Sequence, residues 1–269
     1  YLNVSFEKSQ MVPDGNFSTV ISPNPEEIES MNLALKLANK KNADMVIGTD
    51  PDADRLGVAV RDLDNKLTLI NGNQLMILIF DYILKLKSNS HKLNKNYFIA
   101  STIVSTPMVK SIANHYGVDC KLSLTGFKWI AKMIEDYPGQ KFIVGGEESF
   151  GLMIGDEVRD KDAITASLTA YEMMSYYKQN NSSVFKELIK LYCKYGFFKE
   201  KLVSIVKEGK EGQIEIDNLI EKFRKNPLTQ ISTSKVKYVT DYQNSIRKNI
   251  ITEELEIINL PVSNVIEFE

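Results

Sequence analysis

Residues 49–57, Thr-Asp-Pro-Asp-Ala-Asp-Arg-Leu-Gly, set three carboxylates at alternate positions with an arginine directly behind them. Asp50, Asp52 and Asp54 offer hard oxygen ligands to one small cation if the backbone turns to aim them inward, which suits the octahedral demands of Mg2+. Three protein ligands leave places for water or a phosphate oxygen. Arg55 adds a planar guanidinium fork suited to a phosphate or to orienting an aspartate. Two other readings compete. Asp-rich turns are common on surfaces, so the loop could be no more than a solvated turn. A calcium EF-hand fails by position, because it needs glycine at the sixth place and glutamate at the twelfth, where this chain has Arg55 and Arg61.

Three further loops carry polar groups. Gly145-Gly146-Glu147-Glu148-Ser149-Phe150-Gly151 follows the apolar run Phe142 to Val144. If this segment stays extended, Glu147 and Ser149 lie on one side, where a carboxylate and a hydroxyl suit adjacent sugar hydroxyls. A purely structural turn is the alternative. Thr125-Gly126-Phe127-Lys128-Trp129 also follows a strand and precedes a helix, so its amides and Lys128 could hold an anion or a polar substrate. Trp129 reads as a packing residue. In Arg159-Asp160-Lys161-Asp162, Asp162 can cap the next helix and Arg159 can be a solvated charge, while Lys161 could bind phosphate or pass a proton.

These loops need elements to carry them. Asn24 caps a helix starting at Pro25, with Ile28, Met31, Leu35 and Ala38 on one face. Met45 to Gly48 reads as a buried strand, so the acidic loop sits at a strand's carboxyl end, and Gly57–Arg61 with Leu67–Ile70 forms a hairpin turning at Asp64-Asn65. Next come a helix over 73–87, a polar loop over 88–96, a strand over 97–101 and a helix from Thr106-Pro107 to Gly117. A strand over 119–122, a short helix over 128–136, a strand over 142–144 and a long helix over 162–178 complete this alternation, which implies a parallel or mixed sheet covered by helices. Beyond a polar break at 179–183 the pattern gives a helix through Tyr195, an alternating strand over 197–206, a helix over 212–225 and short strands near Val236 and Val265. The fold class is α/β with an α+β tail.

Composition narrows the partners. A length of 269 residues accommodates about two ordinary domains. A net charge of −2 makes no electrostatic case for nucleic acid or an anionic membrane, which favours small molecules. The apolar stretch from Leu75 toward Leu86 is broken by Asp81 and Lys85 and is too short to span a bilayer. Cys120 and Cys193 form no metal or redox spacing and read as reduced thiols of a cytoplasmic protein. His91 and His115 lie near no serine elbow or cysteine signature, so both read as structural or exposed. Ser22-Pro23-Asn24-Pro25 reads as a turn and helix start rather than a phosphorylation site. The opening Tyr1, not a methionine, suggests a fragment or a trimmed chain.

Taken in order, Gly48-Thr49-Asp50-Pro51-Asp52-Ala53-Asp54-Arg55, Thr125 to Lys128, Gly146 to Gly151 and Arg159 to Asp162 resemble the α-D-phosphohexomutase superfamily, in its phosphoglucomutase, phosphomannomutase and phosphopentomutase-like branch. The resemblance covers roughly residues 1–200, and the tail resembles the start of that family's last domain. It implies successive mixed-sheet α/β domains followed by a partial α+β domain, divided as 1–70, 71–180 and 181–269. It also implies a four-domain enzyme whose phosphoserine donates its phosphoryl group to a hexose or pentose phosphate, giving a bisphosphate that reorients. On this resemblance Asp50, Asp52 and Asp54 match the Mg2+ ligands, with a phosphoserine oxygen as the fourth, and Arg55 matches the arginine beside the metal. Glu147 and Ser149 match the readers of sugar hydroxyls, Thr125, Gly126 and Lys128 a second substrate loop, and Lys161 a group for proton transfer or phosphate stabilisation.

The departures are specific. No Thr-Ala-Ser-His-Asn-Pro-like loop occurs, and no Arg-Pro-Ser-Gly-Thr-Glu loop precedes Glu269. The expectation is therefore part of the second domain, all of the third and part of the fourth, inactive as a mutase when alone. A sugar-phosphate binding or regulatory protein without chemistry is the competing class, and a purely structural interaction module is a third. The preferred sugar epimer and the oligomeric state are not legible.

Overall fold

The computed structural model describes residues 3–90 and 92–269 and forms two compact units, one ending at Glu200 and one spanning Lys201–Glu269. His91 and Tyr1 lie outside the described residues.

The larger unit opens with irregular chain containing one 3-10 turn, Lys8–Gln10, followed by helix α1 (Ile28–Lys41). The helix starts three residues later than the Pro25 that the sequence suggests. Asn24 is used first in a turn: its Oδ1 accepts from the Glu26 amide and its carbonyl from the Glu27 amide. Ile28 is consequently 63% exposed, whereas Met31 and Ala38 are buried and Leu35 packs beside them.

Strands β1 (Met45–Thr49), β2 (Leu56–Arg61) and β3 (Leu67–Ile70) form an antiparallel sheet in that order. The hairpin closes at Asp64-Asn65 as expected, with Asn65 in the left-handed region at φ 62. Alternation along β2 serves two cores. Leu56, Val58 and Val60 face the main core, and Ala59 meets Met31 and Val46 under α1. β1 is not the buried strand its composition suggests. It is an edge on which Val46 alone is buried, since α1 covers one face of an outer strand.

Helix α2 (Gly72–Ser90) starts with a reciprocal cap, the Asn71 amide donating to Gln74 Oε1 and the Gln74 amide to Asn71 Oδ1. It runs three residues past the expected end, so the polar stretch from Ser88 begins as helix. Strand β4 (Tyr97–Thr102), α3 (Met108–Tyr116), β5 (Asp119–Ser123), α4 (Phe127–Asp136), β6 (Lys141–Gly146) and β7 (Leu152–Ile154) follow. Their sheet has the order β5-β4-β6-β7, parallel except for β7, and is therefore mixed. β7 is absent from the sequence reading because three residues are too few to show alternation.

Period-two alternation on β4 divides this unit into layers. Ile99 faces α2, α3, α5 (Ala163–Gln179) and α6 (Val184–Tyr195), whereas Phe98 and Ala100 face α4. A bulge opposite Phe98/Ile99 brings Val144 level with Ile99 in the same core. α2 is buried almost continuously from Leu75 to Leu84, which accounts for its near-unbroken apolar run.

The smaller unit contains α7 (Gly209–Lys225), the short ladder β8 (Gln230–Ile231) with β9 (Ser234–Lys235), and an antiparallel sheet ordered β12-β11-β10-β13. Its strands are β10 (Tyr238–Asp241), β11 (Ile246–Asn249), β12 (Leu255–Ile257) and β13 (Ile266–Phe268). The α+β character is as expected, but Val236 precedes the strand and the helix begins at Gly209, not Gly212. Residues 197–206, expected as an alternating strand, have no regular structure.

Candidate metal and sugar-phosphate site

The acidic loop joins β1 to β2 and is folded by its own first carboxylate. Asp50 Oδ1 accepts from the amides of Asp54 and Arg55, each at 3.0 Å, and the Asp50 carbonyl accepts from Ala53. Ala53 takes the left-handed conformation, φ 56, that this tight reversal demands. As a result, one oxygen from each of Asp50, Asp52 and Asp54 lies within 4.8 Å of the others.

That set fits Mg2+. All three donors are hard oxygens, and an ion bonded at about 2.1 Å separates neighbouring ligands by only a few ångströms, so small side-chain adjustments suffice. The loop is neither splayed nor wholly solvated, since Asp50 and Asp54 are half-buried although Asp52 is exposed. Burial raises the Asp50 carboxyl above its ordinary range; the Arg55 amide acts against this and the Asp54 charge adds to it.

Cations balance the cluster. Arg55 Nε stands 3.8 Å from Asp50 Oδ2 and 3.9 Å from Asp54 Oδ1, and its Nη1 reaches Glu26 Oε1 at 3.5 Å. Lys161 Nζ lies 2.8 Å from Asp54 Oδ2 and 3.1 Å from Asp160 Oδ1. Burial disfavours the Lys161 ammonium, but its bonds to Asp54 and Asp160 outweigh that and raise its pKa, so it is a cation at neutral pH.

Backbone bonds bring the other loops here. Arg55 bridges Gly151 in an isolated antiparallel pairing, the Leu56 amide donates to the Phe150 carbonyl at 3.1 Å, and the Ala163 amide donates to the Ala53 carbonyl at 3.0 Å. Gly151 is needed for this approach, because a Cβ there would lie 2.8 Å from Lys161 Cδ and 2.9 Å from Phe127 Cε2. Glu147, 5% exposed, accepts from the Gly126 amide at 2.6 Å and so ties the loop from Thr125 to Lys128 to the Glu-Ser turn. Burial raises its pKa, while the Gly126 bond and the charges of Lys161 and Arg55 lower it.

Asp50, Asp52, Asp54, Arg55, Lys161, Glu147 and Gly126 are thus gathered, with Ser149 half-buried in the same turn. Thr125 is exposed beside Gly126. Lys128 is exposed with its ammonium 5.0 Å from the Trp129 ring centre, and Trp129 is half-buried. Arg159 pairs with Glu135 at 3.3 Å, a surface contact. His115 is exposed and meets Tyr116 and Tyr195 edge to face. Both cysteines are free, and burial raises the Cys120 thiol to about 11, which leaves it inert. Sequence reasoning missed Glu26 and Glu148. The segment that the sequence reading takes as extended instead turns at 148–149, and the partners of Glu148, more than forty residues upstream, leave no local signal.

Asp162 caps α5, accepting from the Thr165 hydroxyl and from the amides of Ile164 and Thr165, and these bonds hold its carboxyl below the usual range despite burial. Asp162→Ala is expected to cost about 1 kcal/mol in a melting experiment. Because the folded pKa is depressed, the cap's pH-dependent contribution is complete above the unfolded carboxylate value of roughly 4 and disappears as pH falls through the folded value. The difference between wild type and Asp162→Ala should therefore shrink in acid.

Among the described residues, no helix is long and apolar enough to cross a membrane.

Two family models match the chain. The phosphoglucomutase/phosphomannomutase alpha/beta/alpha domain II covers residues 1–64, and domain III covers residues 71–192. A phosphoglucomutase of Staphylococcus aureus is 39% identical over 261 residues, covering 96% of this chain and 46% of the relative. One from Staphylococcus epidermidis is 37% identical over 260 residues, with 96% and 47% covered. The chain thus spans about half the length of the curated relatives it matches. Parafusin, a phosphoglucomutase from Paramecium, shares the fold with TM-score 0.61 at 15% identity, covering 96% of this chain and 42% of that structure.

Proposed function

This chain belongs to the phosphoglucomutase/phosphomannomutase family, and on that premise we propose that it supplies the metal-binding and sugar-reading parts of a phosphohexomutase. The parent reaction is transfer of a phosphoryl group between the 1- and 6-positions of a hexose, through a phosphoserine carrier and a bisphosphate intermediate. The observation that carries this reading is the bridge from Arg55 to Gly151, which sets the acidic loop beside the Glu147–Ser149 turn.

Each side chain has a part suited to its chemistry. Asp50, Asp52 and Asp54 hold Mg2+, which when bound supplies charge neutralisation for the phosphoryl group. Arg55, balanced between Glu26 and the aspartates, orients the acidic loop and faces the phosphate. Lys161 enters as an ammonium, so it stabilises phosphate charge or gives a proton to the departing alkoxide oxygen, which leaves as a hydroxyl. Glu147 and Ser149 accept and donate to hydroxyls of the sugar ring, which either orientation of a bisphosphate can present. Thr125, Gly126 and Lys128 line the next loop.

The division into 1–70, 71–180 and 181–269 belongs to the same reading; the gap between the two matched stretches supports its first boundary, while the domain III match runs on to residue 192. Free cysteines support a cytoplasmic setting. The 269 residues contain neither the phosphoserine loop nor the distal phosphate loop, so the polypeptide alone is expected to be inactive as a mutase. The test is a titration with glucose 6-phosphate in Mg2+, followed through Trp129, the sole tryptophan and a neighbour of Gly126. Saturable binding that is lost on combining Glu147→Gln with Ser149→Ala is expected. Absence of binding would contradict the sugar reading, and conversion of glucose 1-phosphate to glucose 6-phosphate by the isolated chain would contradict its inactivity.

A further inference from the structure

The Glu147–Ser149 turn is held from behind by a residue that the mechanism does not use. Oε2 of Glu148 accepts from Ser105 Oγ at 2.8 Å and from Thr102 Oγ1 at 3.1 Å. These two hydroxyls are themselves 2.8 Å apart, and both residues are buried. Ser105 Oγ also receives the Glu148 amide at 3.2 Å, so side chain and backbone of the same residue are gripped together. The grip is anchored at both ends. Ser101 Oγ donates to the Gly146 carbonyl at 2.9 Å just ahead of the turn, and the Thr106 amide donates to Asn73 Oδ1 at 2.8 Å behind it.

The geometry has a directional consequence. β6 ends at Gly146 and the chain turns at 148–149, with the Glu147 amide donating to the Gly151 carbonyl at 3.0 Å, so fixing Glu148 to Thr102 and Ser105 fixes the short reversal that carries Glu147 and Ser149. Glu147 then meets the Gly126 amide. A carboxylate accepting from two buried hydroxyls is a strong, charge-assisted contact; without it the hydroxyls still have each other, and of this grip the turn keeps only the Glu148 amide bond to Ser105. Phe150, in the left-handed region at φ 66, is a strained residue within this turn, and such conformations persist only where the surroundings hold them.

We propose that Glu148, gripped by Thr102 and Ser105, is the positioning residue that aims Glu147 and Ser149 at the sugar. The inference rests on the sugar-reading role given above to Glu147 and Ser149. Its experiment has two readouts so that the two can fail separately. In the full 269-residue chain, Glu148→Ala is expected to speed amide exchange at Gly126 and across 147–151 by about tenfold or more, with little change in β4 or α5. Glu148→Gln keeps an accepting oxygen and should restore slow exchange, whereas Thr102→Val combined with Ser105→Ala should mimic the alanine variant. In parallel, the affinity for glucose 6-phosphate should fall about tenfold in Glu148→Ala while Mg2+ affinity stays constant, a split that general loosening would not produce.

Unchanged exchange in Glu148→Ala would overturn the proposal whatever the ligand does. Faster exchange with undiminished sugar affinity would overturn it as well. Failure of the unsubstituted chain to bind glucose 6-phosphate would instead overturn the sugar-reading role, while the exchange readout still decides whether Glu148 sets the turn.

Discussion

Asp52→Asn is expected to lower the affinity of the chain for Mg2+ by about a hundredfold or more, since loss of a direct ligand exceeds the ten- to hundredfold losses typical of groups one shell further out. Asp52 is the cleanest of the three to replace. Asp50 also folds the loop through two amide bonds, and Asp54 also holds Lys161, so changing either confounds ligation with structure. Asp52 is exposed and isosteric with asparagine, so thermal stability without metal should stay within about 0.5 kcal/mol of wild type. In a complete mutase carrying this loop, turnover should fall by about a hundredfold or more, because phosphoryl transfer depends on charge neutralisation. Calorimetric titration with Mg2+ checks the first part; near-normal affinity would remove Asp52 from the ligand set.

Gly72→Ala is expected to be among the most damaging small substitutions in the larger unit. A Cβ at this position would lie 1.8 Å from the Glu148 carbonyl oxygen, 2.7 Å from its carbonyl carbon and 3.0 Å from the Phe150 amide nitrogen. All three atoms are backbone, so no side chain can rotate out of the way, and either α2 or the turn must shift. Overpacking of this kind costs about 3 kcal/mol, and here the displaced segment is the one that carries Glu147 and Ser149. Gly139→Ala is the control, since nothing lies within 4 Å of its added carbon. Urea denaturation of the two variants should separate them, and equal midpoints would contradict the close approach at Gly72.

Much of the site was legible because its chemistry is local. The alternate spacing in Asp50, Asp52 and Asp54 needs only one turn to converge, and Asp162 caps α5 from directly in front of it. The layered order of the central unit was also readable, because α2, β4, α3, β5 and β6 each carry enough apolar residues to show their period.

What escaped depends on partners distant in the chain. The pattern of 197–206 alternates like a strand, yet a strand exists only where another backbone completes its ladder, and none does so among the described residues. The apolar composition of Met45–Gly48 suggested burial, but being outermost in a sheet is decided by topology, which composition does not encode. At α1, the preference of Asn24 and Pro25 for a helix start was overridden by a turn that uses the same Asn24 oxygen. Glu26 and Glu148 were hidden for the same reason, since their roles arise from Arg55, Thr102 and Ser105.

The most direct test of the account is to map one bound paramagnetic ion. Mn2+ added in small amounts to the isotopically labelled chain should broaden the amide signals of 50–55 together with those of 147–151 and 160–163, and should leave them sharp in the Asp52→Asn chain. Broadening restricted to 50–55, or equal in both chains, would contradict a single metal centre facing the Glu-Ser turn.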